Sequence, residues 1–158
     1  MSRLLLMGIT ACPAPEGAKG VDIVVTNSEG RSFASLQVKT KIGRRGLPWR
    51  LTPLAEQLSA PELFYVFVGF EDSYKGVASE LLVIPSKVVS EYVRLGHEDW
   101  LRRPGRKGEP HKDSTVRVFA PNPKTIVLNG VVYRKGWADK YSENWKPIID
   151  LVAAAAGS

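Results

Sequence analysis

The chain has 158 residues, of which 44% are hydrophobic and 24% charged, as in an ordinary globular domain. Its 22 basic and 16 acidic residues give a formal net charge of +6, which favours an anionic partner. No apolar run approaches the roughly 20 residues of a membrane span. Cys12 is the only cysteine, so an intrachain disulfide is excluded and a cytoplasmic location is predicted.

At this length we predict a single domain over residues 1–158. Within it we expect a core at 9–95, a mobile basic loop at 97–113, and C-terminal strands and a helix at 116–158. Hydrophobic periodicity and turn residues predict the elements. In chain order these begin with a helix end at 2–7, strands at 8–14, 21–27 and 32–41, a loop at 42–51 and a short helix starting at Thr52-Pro53. Strands at 63–70 and 81–84 and a helix at 86–96 follow. The last elements are strands at 116–120 and 125–134, the latter with an Asn129-Gly130 hairpin turn in its middle, and a helix through Trp145 and Val152.

Two of these strands and the turn between them suggest chemistry. The strand 21–27 is apolar around one carboxylate, Asp22, and the turn residues Asn27-Ser28-Glu29-Gly30 follow it. Folding back at this turn places Asp22 beside the Gln37-Val38-Lys39 end of the strand 32–41. The sequence therefore predicts a β-hairpin that brings a carboxylate next to an amide and an ammonium.

Alternation along the second strand sets the direction of its side chains. Gln37 and Lys39 share one face, with Cα atoms roughly 6.5–7 Å apart. An Asp at a strand start, with a Gln and a Lys on a solvent face, also occurs in strands that have no catalytic role, and that alternative stays open. The opposite, mostly apolar set is expected to face the core, and it consists of Ala34, Leu36, Val38 and Thr40.

A basic segment follows the hairpin. Cations interleaved with one aromatic residue suit phosphate contact combined with base stacking. The alternative is a solvated loop whose Trp49 packs onto the core. The residues predicted to bind nucleic acid are Lys41, Arg44, Arg45, Trp49 and Arg50.

The segment 63–70 is almost wholly apolar and aromatic, which is typical of a strand buried on both faces. We expect it to lie parallel to the strand 32–41, since a short helix separates the two. The chain is thus predicted to form an α/β sheet covered by helices.

The segment 97–113 is polar and rich in proline and glycine, so a mobile loop is expected. Its cations could form a second strip of phosphate contacts. A solvated loop is favoured, because acidic residues partly balance those cations. His97 and His111 lack partners at metal-ligand spacing and are assigned no role.

The pattern D-x(n)-(D/E/Q)-x-K on adjacent strands resembles the metal-site motif of the PD-(D/E)XK nuclease superfamily. Here it consists of Asp22 followed by Gln37-Val38-Lys39. The apolar-flanked Asp and the sequence QVKT are similar to Holliday-junction-resolvase-like or uncharacterised members that use Gln in the second position. The resemblance covers residues 9 to about 70 and implies a restriction-endonuclease-like mixed β-sheet flanked by helices.

The resemblance also implies a role for each motif residue. Mg²⁺ (or Mn²⁺) would be bound by the side chains of Asp22 and Gln37 and by the carbonyl of Val38. Lys39 would orient or help deprotonate the attacking water and stabilise charge on the phosphate. Asp22, Gln37 and Lys39 are therefore the expected catalytic residues. Resolvase-like relatives act as dimers, which makes a homodimer a further expectation.

One feature of the superfamily is missing from the sequence. Active members often carry a Glu on a helix before the first strand, whereas here no acid precedes Glu16. Three explanations compete: an inactive nuclease-like domain, a native chain that starts further upstream, or Glu16 as a substitute acid.

The expected function is that of a nuclease-like DNA-binding protein, with Mg²⁺-dependent hydrolysis of phosphodiester bonds if the site is active. The alternative is a catalytically inactive module of the same fold that binds nucleic acid or assembles with proteins. A third option is a protein-interaction domain whose charge only aids solubility.

Overall fold

Five strands form one mixed sheet in the computed structural model, which describes residues 2–30, 33–72, 76 and 78–153. Among these residues, no helix is both long enough and apolar enough to cross a bilayer. Two 3-10 turns lie at Pro53–Glu56 and Asp139–Tyr141. The helices are α1 (Ser2–Leu6), α2 (Ser86–Arg102) and α3 (Lys146–Ala153), and the strands are β1 (Thr10–Pro13), β2 (Ile23–Thr26), β3 (Phe33–Ile42), β4 (Trp49–Leu51), β5 (Leu63–Phe70), β6 (Glu80–Pro85), β7 (Arg117–Phe119), β8 (Ile126–Leu128) and β9 (Val131–Tyr133).

The sheet has the strand order β1-β2-β3-β5-β6. The first three strands are antiparallel neighbours, β5 runs parallel to β3, and β6 is antiparallel to β5. The predicted hairpin and the predicted parallel pair are both present, although residues 31 and 32 at the hairpin turn lie outside the described part of the chain. The chain is thus a mixed α/β structure, as predicted.

Each face of the sheet carries its own hydrophobic cluster. Leu36 and Phe64 lie in a cluster with α1, β1 and α3, whereas Tyr65 and Phe67 lie in a second cluster with α2, β4 and β7. Ala34 and Leu36 are buried, as the alternation of β3 predicts. The opposite face of β3 is covered as well, so Gln37 is only 7% exposed.

Helix α2 continues beyond Gly96, where the sequence predicted its end, and reaches Arg102. Pairs spaced four residues apart stabilise the extra turns, with Arg94 and Glu98 2.8 Å apart and Asp99 and Arg103 2.6 Å apart. Gly96 lies under Leu128 of β8, where a Cβ would come within 4.0 Å of its side chain.

Strand β4 was predicted to be loop, but pairing with β7 makes it extended. Its Trp49 lies directly opposite Phe119, and both rings belong to the cluster under α2. The turn between β8 and β9 was predicted correctly. Asn129 and Gly130 have φ angles of 47° and 77°, as a type I′ hairpin requires.

Truncation of Phe67 tests the importance of the cluster under α2. Its ring is fully buried and stacks on Phe119 with centroids 4.5 Å apart. Phe67→Ala should lower the free energy of unfolding by about 3–5 kcal/mol, measured by urea denaturation. Phe33→Ala, on β3 with a 54% exposed ring, is the matched control and should change it by less than about 0.5 kcal/mol. Equal losses would contradict this description of the core.

Candidate functional site

Asp22 is held beside Gln37 by the hairpin ladder. Its N–H donates to the carbonyl of Leu36 at 2.8 Å, and its own carbonyl accepts from the N–H of Ala14 at 2.9 Å. Ile23 pairs with Leu36, and Asp22 is the residue before Ile23, so the end of the ladder brings Asp22 close to Gln37. The two side chains are neighbours there, since they are hydrogen-bonded to each other.

The Asp22 carboxylate accepts two hydrogen bonds through Oδ2. One comes from the amide Nε2 of Gln37 and the other from the backbone N–H of Val38, at 2.6 Å. The structure therefore brings the predicted carboxylate and amide into contact. Gln37 is 7% exposed whereas Asp22 is exposed, so the contact lies where the core meets solvent.

Lys39 lies two residues further along β3 and on the same face as Gln37. In the parallel ladder it lies beside Phe67, and its side chain is half-buried. Lys39 is thus two residues along the strand from the Gln37 that contacts the carboxylate.

The Val38 carbonyl completes the predicted metal ligands. Ser35 bonds β5 through its backbone N–H, so by alternation Val38 directs its backbone groups toward β2. Its N–H reaches Asp22 there, and its carbonyl points past the start of β2. The ligand set of one carboxylate, one amide oxygen and one carbonyl fits a Mg²⁺ ion that keeps several waters, provided that the Gln37 amide presents its oxygen.

A second acid is not part of this arrangement. Glu16 is exposed in the loop between β1 and β2, and within the described residues no hydrogen bond or ion pair joins it to Asp22. Helix α1 contains no acid, and its Leu4 packs on the face opposite Gln37. Among the described residues no group of three His, Cys, Asp or Glu side chains could hold a metal.

Lys41 and Trp49, both predicted to contact nucleic acid, are buried instead. The Lys41 side chain is 12% exposed, and its Nζ lies 3.1 Å from Glu80 Oε2 and 3.4 Å from the centre of the Trp49 ring. Desolvation lowers the pKa of Lys41, and the hydrogen bond to Glu80 opposes that effect. The alternative interpretation, in which Trp49 packs onto the core, is the correct one.

Glu80 was missed in the sequence because it lies at the edge of an apolar strand, far along the chain from Lys41. It also accepts the backbone N–H of Gly46 at 3.0 Å, and Lys41 donates to the carbonyl of Leu47. On its other side Gly46 (φ +79°) lies so close to Asn122 that a Cβ at position 46 would be 2.4 Å from Asn122 Nδ2. The basic loop 43–48 is thus clamped between β6 and the segment after β7.

The arginines of this segment remain available to solvent. Arg44 and Arg45 are exposed in the clamped loop, and Arg50 is exposed on β4. In the second predicted basic segment, Arg102 and Arg103 instead pair with Glu98 and Asp99 on α2. Exposed cations therefore lie in the loop 43–48 and on β4, and also at Arg106, Lys107 and Lys112 of the second segment.

No protein-family model, curated protein or solved structure matches the chain. The interpretation of this site therefore depends on its own geometry.

The buried Lys41–Glu80 pair predicts a large effect on stability. Glu80→Ala leaves Lys41 without a counter-ion and the Gly46 N–H without its acceptor, and should cost about 3–5 kcal/mol in urea unfolding. Adding Lys41→Met should recover part of the loss.

The matched control is Asp150→Ala, which breaks the exposed pair with Lys146 and should change the free energy by less than about 1 kcal/mol. If Glu80→Ala behaves like this control, the Lys41–Glu80 contact does not stabilise the fold.

Proposed function

We propose that this protein is a nuclease-like domain of the PD-(D/E)XK type, with a restriction-endonuclease-like fold, that binds DNA and hydrolyses phosphodiester bonds with Mg²⁺ or Mn²⁺. The observation that carries the proposal is the contact of Asp22 with Gln37, with Lys39 on the same face of β3. The mixed strand order, with three antiparallel strands followed by a parallel one, supports it.

In this proposal the ion would be held by Asp22, Gln37 and the Val38 carbonyl. When bound, it would polarise the phosphate and activate a water. Lys39 donates hydrogen bonds to the attacking water or to a phosphate oxygen, and so stabilises the charge that develops there. The exposed Arg44, Arg45 and Arg50 bind the DNA backbone.

One observation favours a second candidate, a non-catalytic nucleic-acid-binding module. Oδ2 of Asp22 already accepts two N–H groups, and these bonds join β2 to β3 without any metal. Within the described residues there is also no further carboxylate against Asp22 to complete a charged metal site. In this candidate the pair serves only the fold, and the basic loop retains DNA binding.

A cleavage assay separates the two candidates. Asp22→Asn keeps an acceptor for the Val38 N–H but removes the charge, and Lys39→Met removes the ammonium. Each should lower the cleavage rate of duplex, flapped or branched DNA with Mg²⁺ or Mn²⁺ by about 10²-fold or more. Glu16→Gln should cleave like the wild type.

Cleavage that survives both Asp22→Asn and Lys39→Met would rule out this site. A fall with Glu16→Gln alone would identify Glu16 as the substitute acid. Absence of cleavage by the wild type, together with DNA binding, would favour the second candidate.

The salt dependence of DNA binding tests the basic loop. Arg44→Ala with Arg45→Ala should reduce the slope of log K against log salt by about two units, since each phosphate contact contributes about 0.9. The control Arg134→Ala with Lys135→Ala removes the same charge from exposed positions after β9 and should leave the slope nearly unchanged.

Equal effects of the two double variants would mean that net charge, not this loop, determines binding. Undetectable binding of the wild type at low salt would favour a protein-interaction domain.

A further inference from the structure

A cavity of about 510 Å³ lies between α2, β7 and the start of β8, apart from the Asp22 site. Its volume falls within the range of about 300–1,000 Å³ that is typical of small-molecule sites. It is on the same side of the sheet as Gln37 and Lys39, because Tyr92 in its wall belongs to the hydrophobic cluster that contains Tyr65 and Phe67.

The cavity combines apolar walls with polar groups. Tyr92, Val116, Val118 and Ile126 form apolar parts of its wall. The polar groups come from the end of α2 and from the segment that leads into β7. They are His97, Asp99, Arg103 and Ser114. Such a lining suits a ligand with an apolar ring system that also carries hydrogen-bonding groups.

The polar part of the cavity is held in place before any ligand arrives. His97 Nε2 lies 2.8 Å from Asp113 Oδ1, and this hydrogen bond is the main reason that the pKa of Asp113 lies below its ordinary value. The Trp100 ring is nearly parallel to those of His97 and His111, with centroids 5.5 and 4.1 Å away. Because these side chains are already ordered, little conformational entropy is lost when a ligand binds against them.

One cation lies in the cavity wall, and others lie on the neighbouring strand β4 and in the chain segment that follows α2. Arg50 on β4 lies directly across from Val118 on β7, and opposed residues of an antiparallel pair share a face. Arg103 lies in the wall itself, and the exposed Arg106 and Lys107 follow it in the chain. Asp99, a carboxylate in the wall, is paired with Arg103 at 2.6 Å. The surroundings therefore favour a ligand whose ring system carries an anionic group.

We propose that this cavity binds a single unpaired nucleobase, with the attached phosphate against Arg50 and Arg103. A nucleobase has apolar faces and hydrogen-bonding edges, and its phosphate supplies the anion. This inference deepens the proposed nucleic-acid binding. It rests on that proposed function in one respect, namely that the base comes from a strand of nucleic acid. The cavity would accept the same base from a free nucleotide.

The test uses the full chain and isothermal titration calorimetry with dAMP, dCMP, dGMP and dTMP. At least one of these should bind. Two control compounds should bind far more weakly: 2-deoxyribose 5-phosphate, which lacks the base, and phenyl phosphate, whose ring lacks the hydrogen-bonding edge of a base. Val118→Phe places a ring in the cavity and should weaken nucleotide binding about tenfold or more, the size expected when a base loses its contacts.

Val127→Phe is the matched control, since Val127 is also an exposed strand valine (56%, against 48% for Val118) but lies outside the cavity wall. It should bind like the wild type. The proposal is overturned if no nucleotide binds, if phenyl phosphate binds equally well, or if Val118→Phe has no effect.

Two further measurements locate the source of the base. If a single-stranded oligonucleotide displaces the bound nucleotide, a nucleic-acid strand is supported as the source of the base. If it does not displace the nucleotide, the proposal that the base comes from a strand is overturned. Duplex binding through Arg44 and Arg45 without nucleotide binding refutes the cavity proposal alone. Nucleotide binding without any DNA binding supports the cavity and refutes the proposed nuclease function.

Discussion

Strand β3 is bonded along both edges and covered on both faces, and the rest of the molecule depends on that constraint. A buried polar side chain on such a strand needs a partner, because leaving it unpaired costs about 1–3 kcal/mol. Gln37 finds Asp22 on the neighbouring β2, and Lys41 finds Glu80 on β6, across β5. The same requirement therefore produces both polar contacts on this face of the sheet.

These contacts explain how a candidate site can form at the edge of a core. Asp22 directly precedes β2, where the ladder ends and the N–H of Val38 has no backbone partner on β2. The carboxylate takes over that hydrogen bond and so continues the pairing by one residue. A side chain used in this way is oriented before any ligand binds, which is a requirement for either metal binding or recognition.

Much of the fold was predictable, because its signals are local. Alternation predicted the inward set of β3, Asn129-Gly130 predicted the last hairpin, and the apolar run of β5 predicted a doubly covered strand. The Asp22–Gln37 contact followed from the hairpin register. In contrast, the Lys41–Glu80 pair joins residues 39 positions apart, and the burial of Trp49 depends on pairing with β7. Contacts of that range leave no periodic signal in the sequence.

Asn122 lies where the clamped loop meets the C-terminal third of the chain. Gly46 presses on its amide from one side, while its Oδ1 accepts the N–H of Gly136 at 2.9 Å from the other. One side chain thus sets the spacing between the arginine-bearing loop and the turn that precedes Trp137. A side chain larger than hydrogen at position 46 would displace this amide, so the basic loop needs glycine where it meets the C-terminal third of the chain.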